Sequence, residues 1–441
     1  MDFSLEYTEE QEAYAVEVRA WLDENVPDGL EHIRDTRKMN DEQWQLRRDF
    51  TRVLGKKGWL YPNAPKAYGG GGLSGDQSGV LSTELGKRGL ALTPLYDMGV
   101  LVSPAIMAVG TEEQKQRFLP PIFTGELLTW QLFTEPEAGT DAANQQTEAL
   151  RSERDGDHFI VNGHKVFVGS YPTKPEQLYL LTRSDPDAPR HQNLTSFLIP
   201  ANLPGITVQA LDLFPLSTFP SQWGVTGANV EAVKHAVYFD NVRIHESRVI
   251  AEEGLGWAVT TATLEVEHGG SGGRRKRAPI SPAQAAAAAK AKKAPGDQPP
   301  RKRYEELSIG RNHLSEKFFE QCRTDPRVKR RLEENPQLQD SVLEIYIGTQ
   351  TNRLWSMRNA NGMGGAYGGP QLSLFGKMLG TTFTKHMAKV LGPAVYTDDP
   401  EWVIDDGRFE TAQRCGICLA PGGTPESYKI NISRALNMGR K

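Results

Sequence analysis

The hydrophobic period of the chain changes twice along its length, and that order of periods is its tightest constraint on the fold. Up to about residue 127, apolar residues recur at helical spacing. In Glu9–Glu24, Ala13, Val16, Val18, Trp21 and Leu22 fall near one face. Thr8 and Gln11 stand at the spacing of a capping box. Asp41–Lys57 is a second amphipathic segment, closed by Gly58, and Ser74–Arg88 and Tyr96–Val109 read as further helices. Thr111 with Glu112-Glu113 opens another, which Pro120-Pro121 is expected to end. Near Leu127 the period falls to two. His158–Val168 alternates around Asn162-Gly163, which predicts a hairpin turn. Leu178–Thr182, Thr195–Ile199, Ile206–Ala210 and Ala236–Phe239 are strand-like. Helical spacing returns at Gly254–His268 and dominates from Tyr304 onward.

Helices, then strands, then helices, without alternation of the two, exclude a doubly wound parallel sheet. The expected class is α+β: an all-α domain over residues 1–127, a central β-barrel or sandwich over 128–246 and a C-terminal helical bundle over 247–441. Within the last part, Gly269–Gly273 breaks the chain. The Ala-, Lys-, Arg- and Pro-rich stretch that follows makes residues 269–303 a flexible basic insertion. Gly69-Gly-Gly-Gly72 lacks a preceding strand and reads as a loop between helices, not a phosphate cradle.

Composition narrows the function by exclusion. A net charge of −4 gives no pull toward nucleic acid or an anionic membrane, and no apolar run is long enough to span a bilayer. Met1–Glu6 is acidic, without the basic and apolar regions of a signal peptide, so a cytoplasmic location is expected. Three cysteines rule out a disulfide framework. Cys415 and Cys418 form a C-x-x-C with no second pair or nearby histidine, so no metal site is expected and two small buried side chains are the plainer reading.

The segment with most chemical content is Phe133-Thr-Glu-Pro-Glu-Ala-Gly-Thr-Asp141. Its hydroxyls, and a glycine backbone that permits close approach, suit contact with a flat ligand. On physical grounds alone it is a polar loop leaving a strand. It also resembles the flavin-contacting signature of the acyl-CoA dehydrogenase family. Other blocks match that family in the same order: Tyr68-Gly-Gly, Gly110–Pro120, Val161–Val166, Phe239–Ile244, Gly254–Trp257 and Gly423-Thr424-Pro-Glu426. The resemblance spans almost the whole chain.

What the resemblance implies is an FAD enzyme that oxidises an acyl-CoA thioester to trans-2-enoyl-CoA. A carboxylate removes the α-proton, flavin N5 accepts the β-hydrogen as hydride, and hydrogen bonds to the thioester carbonyl stabilise the developing enolate. Many members carry the base immediately before the late Gly-Thr. Gly422 stands there and cannot take a proton. The branch similar to isovaleryl-CoA dehydrogenase carries it on the helix after the β domain, which assigns Glu267 as the base. Glu265 falls about 200° away around the helix and faces elsewhere. The same resemblance assigns Phe133, Thr134, Gly139, Thr140, Phe167, Ser170, Gly392, Thr424 and Glu426 to the cofactor, and Thr140 and His268 to the substrate. His268 replaces an arginine, Phe167 a tryptophan, and Gly169-Ser170 a threonine-containing pair. It further implies a homodimer or homotetramer and an electron-transferring flavoprotein as electron acceptor. A flavin monooxygenase or oxidase of this fold, or a non-catalytic subunit of a heteromeric dehydrogenase, are the alternatives.

Overall fold

The computed structural model describes residues 7–30, 40–88, 90, 97–151, 156–169, 175–212, 233–267, 313–360, 368–392, 425–436 and 438. Among them, five α-helices come first: α1 (Glu9–Asn25), α2 (Asp41–Lys56), α3 (Gly75–Lys87), α4 (Gly99–Val109) and α5 (Glu112–Phe123). Four of them begin with the same device. Thr8, Asn40, Ser74 and Thr111 each accept the N–H of a glutamine three residues on, whose side chain accepts the cap's own N–H. Two orphan donors are satisfied at each start, which is why these boundaries were predictable. α5 runs through Pro120-Pro121 and stops at Phe123. The prolines lie in its last turn, where Thr124 N–H still reaches the Pro120 carbonyl.

Among the described residues, seven strands follow: β1 (Thr129–Leu132), β2 (Glu148–Arg151), β3 (His158–Val168), β4 (Gln177–Arg183), β5 (Leu194–Pro200), β6 (Ile206–Asp212) and β7 (Val233–His245). They form one sheet in the order β1-β4-β2-β3-β7-β6, with β5 on β4. The predicted hairpin at Asn162-Gly163 is not there. β3 passes straight through, and its pairing with β7 shifts register between Val161 and Gly163. A side chain at Gly163 would meet Thr147 at 2.8 Å, so this glycine lets two backbones approach within a bulge.

After the sheet come α6 (Gly256–Glu267), α7 (His313–Thr324), α8 (Pro326–Glu334), α9 (Pro336–Ala360), α10 (Gly368–Leu391) and α11 (Pro425–Ala435). The expected three-part order is thus observed. The predicted insertion at 269–303, Cys415 and Cys418 lie outside the described residues. Among the described residues, no helix is long and apolar enough to cross a membrane, and no group of three or more His, Cys, Asp or Glu could hold a metal ion.

Two apolar cores flank the sheet. One face buries Trp130, Leu132, Leu178 and Leu180. The other buries Phe133, Tyr179 and Leu181 against Ile106 of α4 and Val259 of α6. Polar clamps join the helical domain to the sheet. Arg48 meets Glu176 at 3.1 Å. Gln114 donates to the carbonyls of Val249 and Ala251 and accepts the Ala251 N–H, which fixes the approach to α6.

Asp97 is the most consequential clamp. Its Oδ1 accepts the N–H of Gly99, where α4 begins, and of Thr129, where β1 begins. Its Oδ2 and the neighbouring Tyr61 hydroxyl are buried without a hydrogen-bond partner among the described residues. Burial pushes the Asp97 carboxyl up from 3.8 to about 6, more than the two N–H donors and Arg48 pull it down. A carboxyl raised on folding stabilises the fold at low pH and loses that contribution as pH rises through about 6. Asp97→Asn keeps the acceptor and abolishes the charge. We expect it to be more stable than wild type at about pH 8, by on the order of 1–3 kcal/mol, with the gap shrinking toward pH 4 in urea unfolding.

Candidate functional site

The Phe133–Asp141 segment leaves β1 and turns at once. Glu135 and Ala138 exchange backbone hydrogen bonds of 3.0 and 3.2 Å, closing a tight turn over Pro136-Glu137. The Glu135 side chain points inward. Its Oε1 accepts the Thr147 N–H at 3.0 Å and the Lys165 ammonium at 2.6 Å, and its Oε2 takes the Gln146 N–H at 2.5 Å. Lys165 has no solvent exposure and also donates to the Leu181 carbonyl at 2.6 Å and to Gln145 Oε1. One ion pair therefore pins the turn to β3, β4 and the segment entering β2. Burial alone would raise the Glu135 carboxyl; Lys165 and the N–H donors outweigh it and hold the group below the usual carboxylate range. Burial pulls the Lys165 ammonium down against the attraction of Glu135. Both charges are compensated, so removing one leaves the other stranded.

Neither Glu135 nor Lys165 was singled out from the sequence. A signal was present. Phe159, Val161 and Lys165 fall in one inward register of β3, and a lysine in such a register requires a buried partner.

The predicted contacts divide into two groups. The first comes together beside the pinned turn. The Thr134 carbonyl accepts the Val166 N–H at 2.9 Å, which sets the Phe133-Thr134 backbone against the end of β3. There the pairing with β7 shifts again, between Lys165 and Val168. The shift turns Phe167 outward: its φ is +59° and it is 52% exposed. A bulky residue at positive φ costs about 1 kcal/mol or more, and an exposed aromatic gains little in water. Gly169 follows at φ +61°, packed so closely on Trp130 that a side chain would meet the indole at 2.3 Å. Gly139 and Thr140 are exposed just past the turn, and a side chain at Gly139 would touch nothing within 4 Å. An outward aromatic, a hydroxyl and an unobstructed glycine backbone are a set that fits a flat aromatic ligand. The Phe133 side chain is not part of that surface. It is buried, its ring 5.0 Å from that of Tyr179.

The second group lies in the C-terminal bundle. Gly392 ends α10 at φ +69°, and a side chain there would meet the Arg331 guanidinium of α8 at 2.9 Å. Close packing of a helix end accounts for that glycine. Glu426 is exposed in the first turn of α11, where a carboxylate complements the helix dipole. Ser170, His268 and Thr424 lie outside the described residues, as does the side chain of Glu267.

The backbone position of residue 267 is described, at the end of α6. Thr263 of that helix is buried, and its hydroxyl meets the Tyr179 hydroxyl of β4 at 2.9 Å. Four residues further on, position 267 shares the helical face of Thr263, the face turned to the sheet.

Comparison with known proteins follows the same division of the chain. Residues 8–126 match the acyl-CoA dehydrogenase N-terminal domain and residues 131–223 the acyl-CoA dehydrogenase middle domain. The acyl-CoA dehydrogenase FadE29 of Mycobacterium tuberculosis is 30% identical over 265 residues, covering 60% of this chain. The chain spans 62%, 50% and 27% of the lengths of the first three curated relatives it matches. In three dimensions, the Tcur3481-Tcur3483 steroid ACAD superposes over the full length of both chains with a TM-score of 0.70 at 24% identity. An FAD-dependent dehydrogenase superposes equally completely, with a TM-score of 0.62 at 18% identity.

The pinned turn leads to a stability prediction. Lys165→Met, which strands the Glu135 carboxylate, should destabilise the protein by on the order of 3–5 kcal/mol. Glu135→Gln combined with Lys165→Met should recover part of that loss in thermal denaturation.

Proposed function

From a chain with the acyl-CoA dehydrogenase fold, carrying that superfamily's N-terminal and middle domains in order, we propose an FAD-dependent acyl-CoA dehydrogenase that forms a trans-2-enoyl-CoA. The observation that carries this reading is Phe167, held outward at positive φ beside Thr134 and half exposed to solvent. Its ring is positioned to stack on the cofactor, while Thr134, Gly139 and Thr140 line the cofactor's edge. Ser170, Gly392, Thr424 and Glu426 are assigned to the rest of the cofactor through the family resemblance alone.

When bound, FAD supplies the acceptor for the hydride that leaves the β-carbon. The remaining work falls to the chain. Glu267 takes the α-proton, placed by a helix whose previous turn is tied to β4 through Thr263 and Tyr179. Apolar walls from α4, α6 and the sheet keep water from the thioester, so a carboxylate can act on a weakly acidic carbon. Thr140 and His268 orient the substrate. Electrons pass to an electron-transferring flavoprotein. Leu343, Tyr346, Ile347 and Leu354 form an exposed apolar stripe on α9, which supports a homo-oligomer joined through the bundle.

Mixing the purified flavoprotein anaerobically with a panel of acyl-CoA thioesters tests the reading. Bleaching by at least one is expected, and Glu267→Gln should slow it by about 10²–10⁴-fold. If no acyl-CoA bleaches the flavin, the assignment is wrong. Phe167→Gly should weaken FAD retention without lowering the melting temperature of the cofactor-free protein, because it relieves strain. Ile347→Glu should shift the protein to a smaller species in sedimentation velocity.

A further inference from the structure

One charged side chain stands against the register shift that turns Phe167 outward. The pairing of β3 with β7 sets Val168 opposite His235. Both face the core: Val168 is buried among its apolar side chains, and the His235 ring lies 4.7 Å from that of Trp130. Alternation along β7 therefore sends Lys234 to the other face, the one that carries the exposed Tyr238. Phe167, the neighbour of Val168 on β3, is turned to that outer side as well.

Lys234 reaches across the two strands. Its ammonium donates to the Gly169 carbonyl at 2.8 Å, and the residue is only partly exposed. Gly169 is two residues from Phe167, at most about 7 Å along an extended chain. The charge is thus held beside the surface assigned to the flavin ring. Holding a carbonyl does not by itself require a charge, since a neutral amide donor would serve. Neither neighbouring basic residue supplies a second cation on this face. Lys165 points inward, where Glu135 compensates it. Burial, aided by Lys234 and opposed by the Val168 carbonyl, pulls the His235 imidazole below the usual histidine range.

We propose that Lys234 belongs to the cofactor site, and that its ammonium favours the reduced, anionic flavin over the oxidised one. The inference rests on the assignment of Phe167 to the flavin in the reading above. A hydride carries two electrons and one proton. Added to the neutral oxidised ring, it leaves one negative charge there, while the substrate's α-proton goes to the base. A nearby cation stabilises that charge and has little effect on the neutral ring. The Gly169 carbonyl keeps the ammonium in place, so the charge is already oriented when the electrons arrive.

The test is the midpoint potential of the bound flavin, measured anaerobically in the FAD-loaded protein against a reference dye, together with the dissociation constant of oxidised FAD. No acyl-CoA is needed. Lys234→Gln keeps a donor for the Gly169 carbonyl and removes the charge, Lys234→Met removes both, and Lys234→Arg keeps the charge. The Gln and Met variants should disfavour reduction by on the order of tenfold, a fall of about 30 mV for a two-electron couple. The Arg variant should stay near the wild-type potential. If the Gln and Met variants also keep that potential, even with a weaker hold on oxidised FAD, Lys234 is only a clamp on the strand and the dehydrogenase reading stands. If the wild-type protein takes up no FAD, both readings fall together.

Discussion

The ion pair between Lys165 and Glu135 is the interaction on which the rest of the site depends. An ammonium with no solvent exposure cannot be left without a counter-charge, so Glu135 must turn inward. Once it does, its two oxygens collect the N–H groups of Gln146 and Thr147 as well. The loop after β1 is thereby given one conformation. Its outer residues, Gly139 and Thr140, are presented to solvent as a consequence, and Thr134 is left against the end of β3. The glutamate most prominent in the signature is thus a structural anchor. Under the proposed function, the ligand-facing work passes to its neighbours.

Strain accumulates where that anchor makes it tolerable. Just past Lys165 the pairing of β3 with β7 slips, Phe167 turns into the left-handed region, and Gly169 must lie flat on Trp130. Lys234 holds the Gly169 carbonyl at 2.8 Å and His235 packs tilted on Trp130, its ring 4.7 Å away, so with Lys165 on the other side both sides of the slip are fastened. A strained residue between two fastened ones cannot relax by shifting register, because a one-residue slip would reverse the faces of the whole strand. Under the proposed function, that rigidity suits a cofactor contact: the cost is met by the sheet and not at the moment of binding.

The parts legible in the sequence are those set by local chemistry. The capping box at Thr8 and the N-cap Thr111 announced α1 and α5, and the period change near Leu127 announced the sheet. What failed was decided by distant contacts. Asn162-Gly163 has the composition of a hairpin turn, yet Gly163 is needed because Thr147 comes within 2.8 Å of where a side chain would stand. β1 and β2 are four residues each and carry too few alternations to register as strands. At the site, the residue types at 134, 139, 140 and 167 were suggestive, but the backbone twist that turns Phe167 outward depends on the register of β7. Gly392 carries a different lesson: its glycine is explained by Arg331 packing on a helix end.

α6 draws these elements into one mechanism. It is held at its approach by Gln114 and in its middle by the Tyr179–Thr263 contact. Asp97 fixes a different pair of elements, since α4 and β1 start at its two accepted N–H groups. α4 and α6 pack against each other over the same sheet face that buries Phe133. A shift at Asp97 would therefore act first on the starts of α4 and β1. A shift at Tyr179 or Thr263 would move α6 alone and change the spacing between position 267 and the sheet directly. Proton abstraction is sensitive to distance on the scale of an ångström. Under the proposed function, side chains at the α6–β4 contact should consequently matter more to catalysis than Asp97, which governs how firmly the two domains stay joined.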